Sequence, residues 1–276
     1  MIRLALHVAR ADAELALAEL LELAPSGVEE VDHGATIEYA VYGAPGELPA
    51  LPDLRAAAGR ALVDITTTEI GDDWDTRWRS FHRPVTIGGR LHVRPPWSDP
   101  VDERAQLLEI VIDPAQAFGT GAHPTTRLCL EALLALEPRG AFMDLGCGAG
   151  VLAIAARKLG WAPVSGVDHE RASVKATIDN AAVNGVEVDV RHLDLLRDGP
   201  PPSAPTVAAN LLRPLLLALA AGGFQGAAPR TLVAGGMLEH EADEVAAAFA
   251  ARGLHERARG VAGGWAALTL AGELAA

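Results

Sequence analysis

The chain has 276 residues, half of them hydrophobic, and a formal net charge of −13; that length admits two domains, and the acidity argues against a nucleic-acid-binding surface while suiting a basic protein partner. Its only two cysteines, Cys129 and Cys147, exclude a disulfide framework and a zinc site and make a reducing cytosol, hence a cytoplasmic protein, the expectation. Asp12, Glu14 and Glu19 interrupt the early apolar residues, so no signal peptide is expected, and no uncharged apolar run reaches membrane-spanning length.

Ile2 to Ala9 reads as a strand, and Asp12 to Ala24 as a helix whose apolar face is built by Leu15, Leu17, Leu20, Leu21 and Leu23. Pro25-Ser26-Gly27 ends it. Strands come next at Val28 to Asp32 and Ala35 to Tyr42 around a His33-Gly34 turn. Leu51 to Ala61 is a second helix and Leu62 to Ile70 a threonine-rich strand. The order β-α-β-β-α-β is that of a small ferredoxin-like α+β domain over residues 1–70. It holds no catalytic cluster, so its sheet offers a face for a partner or for packing.

Residues 71–100 read as a linker. Trp74, Trp78 and Trp97 fall here, the first two one helical turn apart, and Pro95, Pro96 and Pro100 stiffen its C-terminal part. From residue 101 strands and helices alternate. Leu107 to Ile112 is a strand, Thr125 to Leu136 a helix, Ala141 to Leu145 a strand and Val151 to Leu159 a helix. Val164 to Asp168 is a strand, and Ala172 to Asn184 a helix closed by Gly185. Strands recur at Val186 to His192, Thr206 to Asn210 and Thr231 to Gly235, with helices from about Leu215 and Glu239. Val261 to Leu270 is expected to close the sheet as a hairpin strand around Trp265. The pattern over 101–276 is a doubly wound α/β sheet.

Three strand ends carry the chemistry. The first is "FMDLGCGAGVLAIAA", residues 142–156, where Gly146-Cys147-Gly148-Ala149-Gly150 makes a glycine turn between strand and helix. A dinucleotide fingerprint would need a third glycine at Val151, so a pyrophosphate is disfavoured, while the close backbone approach of a ligand remains. The second is Asp168, 22 positions beyond Gly146, an acid placed to accept both hydroxyls of an unphosphorylated ribose. The third is Asn210, 42 positions after Asp168, whose amide faces the crevice where a target nitrogen would sit.

The pair of D-L-G-C-G-A-G and Asp168 resembles the seven-strand S-adenosylmethionine-dependent methyltransferases. The further stretches "DPAQAFGTGAHPTT", "NAAVNGV" and "ANLL", with "FHRP" and "RPPW" in the linker, resemble one family, the bacterial methyltransferases of large-subunit ribosomal protein eleven. The resemblance spans nearly the whole chain. It implies a seven-strand Rossmann-like catalytic domain, an N-terminal domain that recognises the ribosomal protein, and methylation of its lysine side chains and N-terminal amine up to the trimethyl state. It places Thr125, Gly146, Asp168 and Asn210 against the cofactor, with no metal. A monomer without direct nucleic-acid specificity and without membrane attachment is expected.

The 113–126 loop holds no lysine, which suits a ligand that carries a sulfonium. Thr125 or Thr126 can cap the helix that begins there. No histidine or glutamate stands out as a base, and His123, with Pro124 next to it, serves loop structure as readily as proton transfer. The Asn210 side-chain oxygen, or a neighbouring backbone carbonyl, would hold the amine while leaving its lone pair free.

Overall fold

In the computed structural model the chain divides into two units, Met1–Phe81 and His82–Ala276. The structure describes residues 2–13, 16–17, 20, 28–43, 54–55, 58–69, 83–113, 121 and 123–272.

The smaller unit is built on four antiparallel strands, β1 (Ile2–Ala9), β2 (Glu29–Asp32), β3 (Thr36–Gly43) and β4 (Leu62–Glu69), ordered β2-β3-β1-β4. Alternation sends Leu4, Leu6 and Val8 of β1 and Ile37, Tyr39 and Val41 of β3 to one face. There they bury against Ala13, Ala16, Leu20, Leu54 and Ala58. Ala13, Ala16, Leu17 and Leu20 are helical, as are Leu54, Arg55 and Ala58. Asp12 and Gly59–Ala61, within the same two expected helices, lie in 3-10 turns; the remaining residues of those helices lie outside the described residues, as do Trp74 and Trp78. The other face carries Arg3, His7 and Glu38. His7 sits directly across from Glu38 in the β1–β3 register. His7 Nε2 and His33 Nε2 each lie 3.3 Å from Glu38 Oε2, and Arg3 bonds Glu38 Oε1 and pairs with Glu29. Burial opposes the Glu38 charge, but Arg3, helped by His33 and His7, holds the carboxyl below its ordinary range.

Residues 83–100, expected to be linker, instead carry two strands of the larger unit. β5 (Val85–Ile87) and β6 (Leu91–Arg94) join β7 (Leu108–Val111) in a small sheet, with β6 and β7 parallel. Ile87, Leu91, Val93, Ile110 and Ile112 are buried in a core shared with the first two helices of the main sheet.

That sheet has seven strands: β8 (Phe142–Leu145), β9 (Val164–Asp168), β10 (Asp189–His192), β11 (Thr206–Asn210), β12 (Thr231–Leu238), β13 (His255–Ala262) and β14 (Trp265–Ala271). Their order is β10-β9-β8-β11-β12-β14-β13. The first five and β13 run in one direction, and β14, between β12 and β13, runs antiparallel to both neighbours. The tail is thus a two-stranded hairpin about Gly263-Gly264, one strand more than expected. Five helices cover the sheet: α1 (Pro124–Ala135), α2 (Val151–Leu159), α3 (Arg171–Val183), α4 (Arg213–Gly222) and α5 (Ala242–Ala250).

Both faces are apolar, as a doubly covered sheet requires. Phe142, Val164, Ala208 and Val233 face α1 and α2, while Met143, Leu145, Val207, Ala209 and Leu232 face α4 and α5. Period-two alternation then puts Asp144, Asp168 and Asn210 on the α1–α2 side. From β8 the chain winds outward through β9 and β10, then crosses back to β11 and β12. The reversal opens a crevice at the carboxyl ends of β8 and β11, the place where such sheets bind ligands. No described helix is long and apolar enough to cross a membrane.

Candidate active site

The glycine turn leaves β8 at the edge of this crevice. Gly146, Gly148 and Gly150 all adopt positive φ, at 71°, 53° and 85°. A Cβ on Gly146 would stand 2.5 Å from Leu211 Cδ2, and one on Gly150 would stand 2.7 Å from Thr177 Cγ2. Positive φ demands glycine at both positions, and at Gly150 the buried, β-branched Thr177 leaves no room for a Cβ either. The turn is pinned to β9, because the Gly146 and Cys147 N–H groups donate to the Val167 carbonyl at 2.8 and 3.1 Å.

Asp168 lies at the end of β9 and is 6% exposed. Its Oδ2 accepts from the Gly148 N–H and its Oδ1 from the Glu170 N–H, each at 2.9 Å. Two backbone donors fix the carboxylate plane and leave each oxygen a further lone pair for a hydroxyl. His169 Nδ1 lies 3.4 Å from Asp168 Oδ1.

Asp144, in the sequence only a residue near a strand end, proves to be the most perturbed acid of the site. Its Oδ2 accepts from the Ala153 N–H at 3.0 Å and so caps the first turn of α2. Its Oδ1 is buried without a partner. Burial pushes the carboxyl up to about 7, the Ala153 N–H works against this, and the Asp168 charge adds to it. The sequence signal was available: an acid at the centre of "FMDLG", where neighbouring residues are apolar.

Asn210 ends β11. Its Nδ2 is 3.5 Å from Thr126 Oγ1, and its Oδ1 is buried without a partner among the described residues. Half a turn of the amide exchanges its two ends, so one polar end lacks a partner in either orientation. A Cβ on Gly235, in the neighbouring strand β12, would fall 3.2 Å from that oxygen.

Neither threonine caps α1. His123 is the cap residue, and its Nδ1 accepts the Thr125 N–H at 3.3 Å. The Thr125 hydroxyl lies 2.8 Å from the same nitrogen. Burial lowers the His123 pKa, which keeps the ring neutral with its proton on Nε2, and the ring meets Trp265 edge-on at 5.1 Å. With Nδ1 occupied in this way, His123 is a structural residue rather than a base. Thr125 is 2% exposed and Thr126 1%; residues 114–120 and 122 of the loop lie outside the described residues.

Gly146, Asp168 and Asn210 thus stand at three adjacent strand ends, β9-β8-β11, with Thr126 touching Asn210 and Thr125 beside it on α1. No lysine or arginine occurs in 142–153, 164–170 or 206–212. The crevice offers acceptors and glycine backbone, and it suits a cation with hydroxyls better than a phosphate. Together the fold and the crevice define a Rossmann-like methyltransferase.

Comparison with known proteins agrees. The family described as "Ribosomal protein L11 methyltransferase (PrmA)" matches residues 53–273. A protein of Bordetella bronchiseptica named ribosomal protein L11 methyltransferase is 37% identical over 288 aligned positions, 91% of this chain and 93% of the relative. One of the same name from Parasynechococcus marenigrum is 38% identical over 235 positions, 81% of this chain and 80% of the relative. A crystal structure of ribosomal protein L11 methylase from Lactobacillus delbrueckii superposes with a TM-score of 0.60 at 26% identity, over 70% of this chain and all of that one. The chain belongs to the ribosomal protein L11 methyltransferase family.

Proposed function

We propose that this protein transfers methyl groups from S-adenosylmethionine to amino groups of large-subunit ribosomal protein L11, both lysine side chains and the N-terminal amine, up to the trimethyl state. The observation that carries the reading is Asn210: a polar end without a partner at the reversal point of the sheet, next to the glycine turn.

Thr125, Gly146, Asp168 and Asn210 are assigned to the cofactor. Asp168 receives the ribose hydroxyls, and the glycine turn admits the ligand against its backbone. Asp144 gains from any positive charge nearby, since it is buried without a cation. When bound, S-adenosylmethionine supplies a methyl carbon already activated by its sulfonium. The protein's own work is alignment, desolvation and exclusion of water. An amine near its reference pKa of about 10.4 is mostly protonated at neutral pH; desolvation and the charge of a bound sulfonium would both lower it, so that the amine loses its proton to solvent before it enters. The Asn210 amide oxygen accepts one N–H of that amine and leaves its lone pair directed at the methyl group.

The smaller unit is assigned a ferredoxin-like fold and the recognition of the ribosomal protein. Its four-strand order and its lack of cofactor motifs support this. The protein acts in the cytoplasm as a monomer. A nucleic-acid target is disfavoured, because Leu211-Leu212 come directly after Asn210 and offer no aromatic platform for a flipped base.

The test is methyl transfer from labelled cofactor to unmodified L11, read by mass spectrometry of the product. Mass increments of one to three methyls on lysines and the N-terminus are expected. Label on ribosomal RNA with none on L11 would overturn the reading.

A further inference from the structure

Helix α3 buries polar residues beside the small apolar Ala176 and Ala181. Its exposed face carries Ile178 and Val183, 48% and 63% accessible. Its inward row is Ser173, Thr177, Asn180 and Asn184, spaced four, three and four apart as one helix face requires. Ser173, Thr177 and Asn180 are buried. An amphipathic helix ordinarily turns its apolar stripe inward. Here the inward neighbours are irregular backbone, whose buried N–H and C=O groups need partners.

Ser173 donates to the Glu170 carboxylate at 3.2 Å, and the other three answer such needs. The Thr177 hydroxyl donates to the Gly148 carbonyl at 2.8 Å. Asn184 pairs with Val111 as a strand would, accepting its N–H at 2.9 Å and donating to its carbonyl at 2.6 Å. Asn180 alone reaches two different segments. Its Nδ2 donates to the Ala149 carbonyl, in the glycine turn, at 2.9 Å. Its Oδ1 accepts from the N–H of Asp113, the residue that opens the 113–126 loop, at 3.0 Å. One partner must accept and the other must donate, so the amide has a single working orientation. No other residue type of this size offers both functions in that geometry.

We infer that Asn180 is a positioning residue of the methyl-transfer site: its side chain ties the glycine turn to the entry of the 113–126 loop, so that the two are held in one register for the cofactor. Asn180 touches neither substrate nor reacting atoms and acts through Ala149 and Asp113. The inference rests on the assignment of the glycine turn to S-adenosylmethionine. Asn184 serves as its internal control, one turn further along, with two bonds to Val111 and one to the Asn180 carbonyl but none to the turn.

The experiment compares the full chain with Asn180→Leu, Asn180→Ser and Asn184→Leu. Melting temperature, S-adenosylmethionine affinity by calorimetry, and kcat and KM on L11 are measured for each. Both Asn180 variants are expected to bind the cofactor about tenfold or more weakly, as loss of two buried hydrogen bonds implies, with KM for cofactor raised and kcat lowered. Asn184→Leu is expected to lose melting temperature comparably but to keep its affinity within about twofold. In the unmodified protein, hydrogen exchange in the peptides containing Asp113 and Gly146 to Gly150 is expected to slow together when cofactor is added, a readout that no variant's folding can confound. Unchanged affinity in a folded Asn180 variant, an equal loss in Asn184→Leu, or protection of the glycine turn without any at Asp113 would overturn the inference. Failure of the unmodified protein to bind S-adenosylmethionine would instead remove the functional reading on which it stands.

Discussion

The two units treat their polar side chains in opposite ways. On the small unit's sheet, Arg3, Glu29, His7, His33 and Glu38 satisfy one another, and the Tyr39 hydroxyl donates to the Ala13 carbonyl at 3.2 Å. In the large unit, Asp144 Oδ1 and Asn210 Oδ1 are buried with no partner among the described residues. Leaving a buried acceptor unpaired costs about 1–3 kcal/mol, and native proteins rarely carry that cost without a reason. Both orphans sit at strand ends flanking the sheet's reversal point. The contrast separates a surface that is complete by itself from a crevice that is completed by its ligand.

The strongest way to break this contrast is at the glycine turn. Gly146→Ala combines left-handed backbone strain of about 1–2 kcal/mol with overpacking against Leu211 of about 1–3 kcal/mol. Both costs fall on the folded protein, so the melting temperature should drop by several degrees, and displacement of the turn to relieve them should weaken cofactor binding about tenfold or more. Calorimetry that shows undiminished binding would place the ligand elsewhere. Asp168→Ala comes next. It removes an acceptor for the ligand and also releases the Gly148 and Glu170 N–H groups. Loss of a hydrogen bond to a charged group contributes about 1.5–3 kcal/mol, so affinity should drop about ten- to 150-fold.

Asn210→Ala sharpens the comparison at the other strand end. Turnover on L11 should fall under saturating cofactor and substrate, because the amine loses its alignment. Full turnover under those conditions would leave Asn210 a purely structural role. A smaller effect concerns pH. The Asp144 carboxyl is raised to about 7 in the folded protein, against about 3.9 unfolded. Folding therefore favours its protonated form. That contribution is complete below about pH 4 and is lost as pH rises through about 7. Asp144→Asn keeps an acceptor for the Ala153 N–H and removes the titration. Its melting temperature should gain on the unmodified protein by a few degrees between pH 5 and pH 8, whereas a constant difference would show that Asp144 does not titrate in that window.

Much of the large unit is legible in the sequence. β9, β11 and α2 occur at the residues expected: β11 and α2 are apolar runs bounded by a polar strand end or by glycine, and β9 is short, with valines at alternate faces and an acid at its end. β13 is not legible, since nearly every residue of "HERARGVA" is exposed and no alternation survives at an edge strand. β5 and β6 escape because three- and four-residue strands leave little periodicity beside prolines and tryptophans. In the site, motif spacing alone finds Gly146, Asp168 and Asn210. It does not find the cap of α1, because histidine is outside the usual capping set. Asn180 and Asn184 both fall within "NAAVNGV", but their role cannot be read there. Their spacing is visible, while the backbone groups they serve come from segments about 30 to 70 residues away and appear only in the fold.

The central claim is that chemistry and recognition are divided between the two units. The measurement that tests it most directly is the intact mass of purified L11 after incubation with S-adenosylmethionine and either the full chain or a chain beginning at residue 82, with cofactor binding to both monitored by calorimetry. Both chains are expected to bind the cofactor, and only the full chain to add methyl groups to L11. Trimethylation by the shortened chain at the full-length rate would contradict the division.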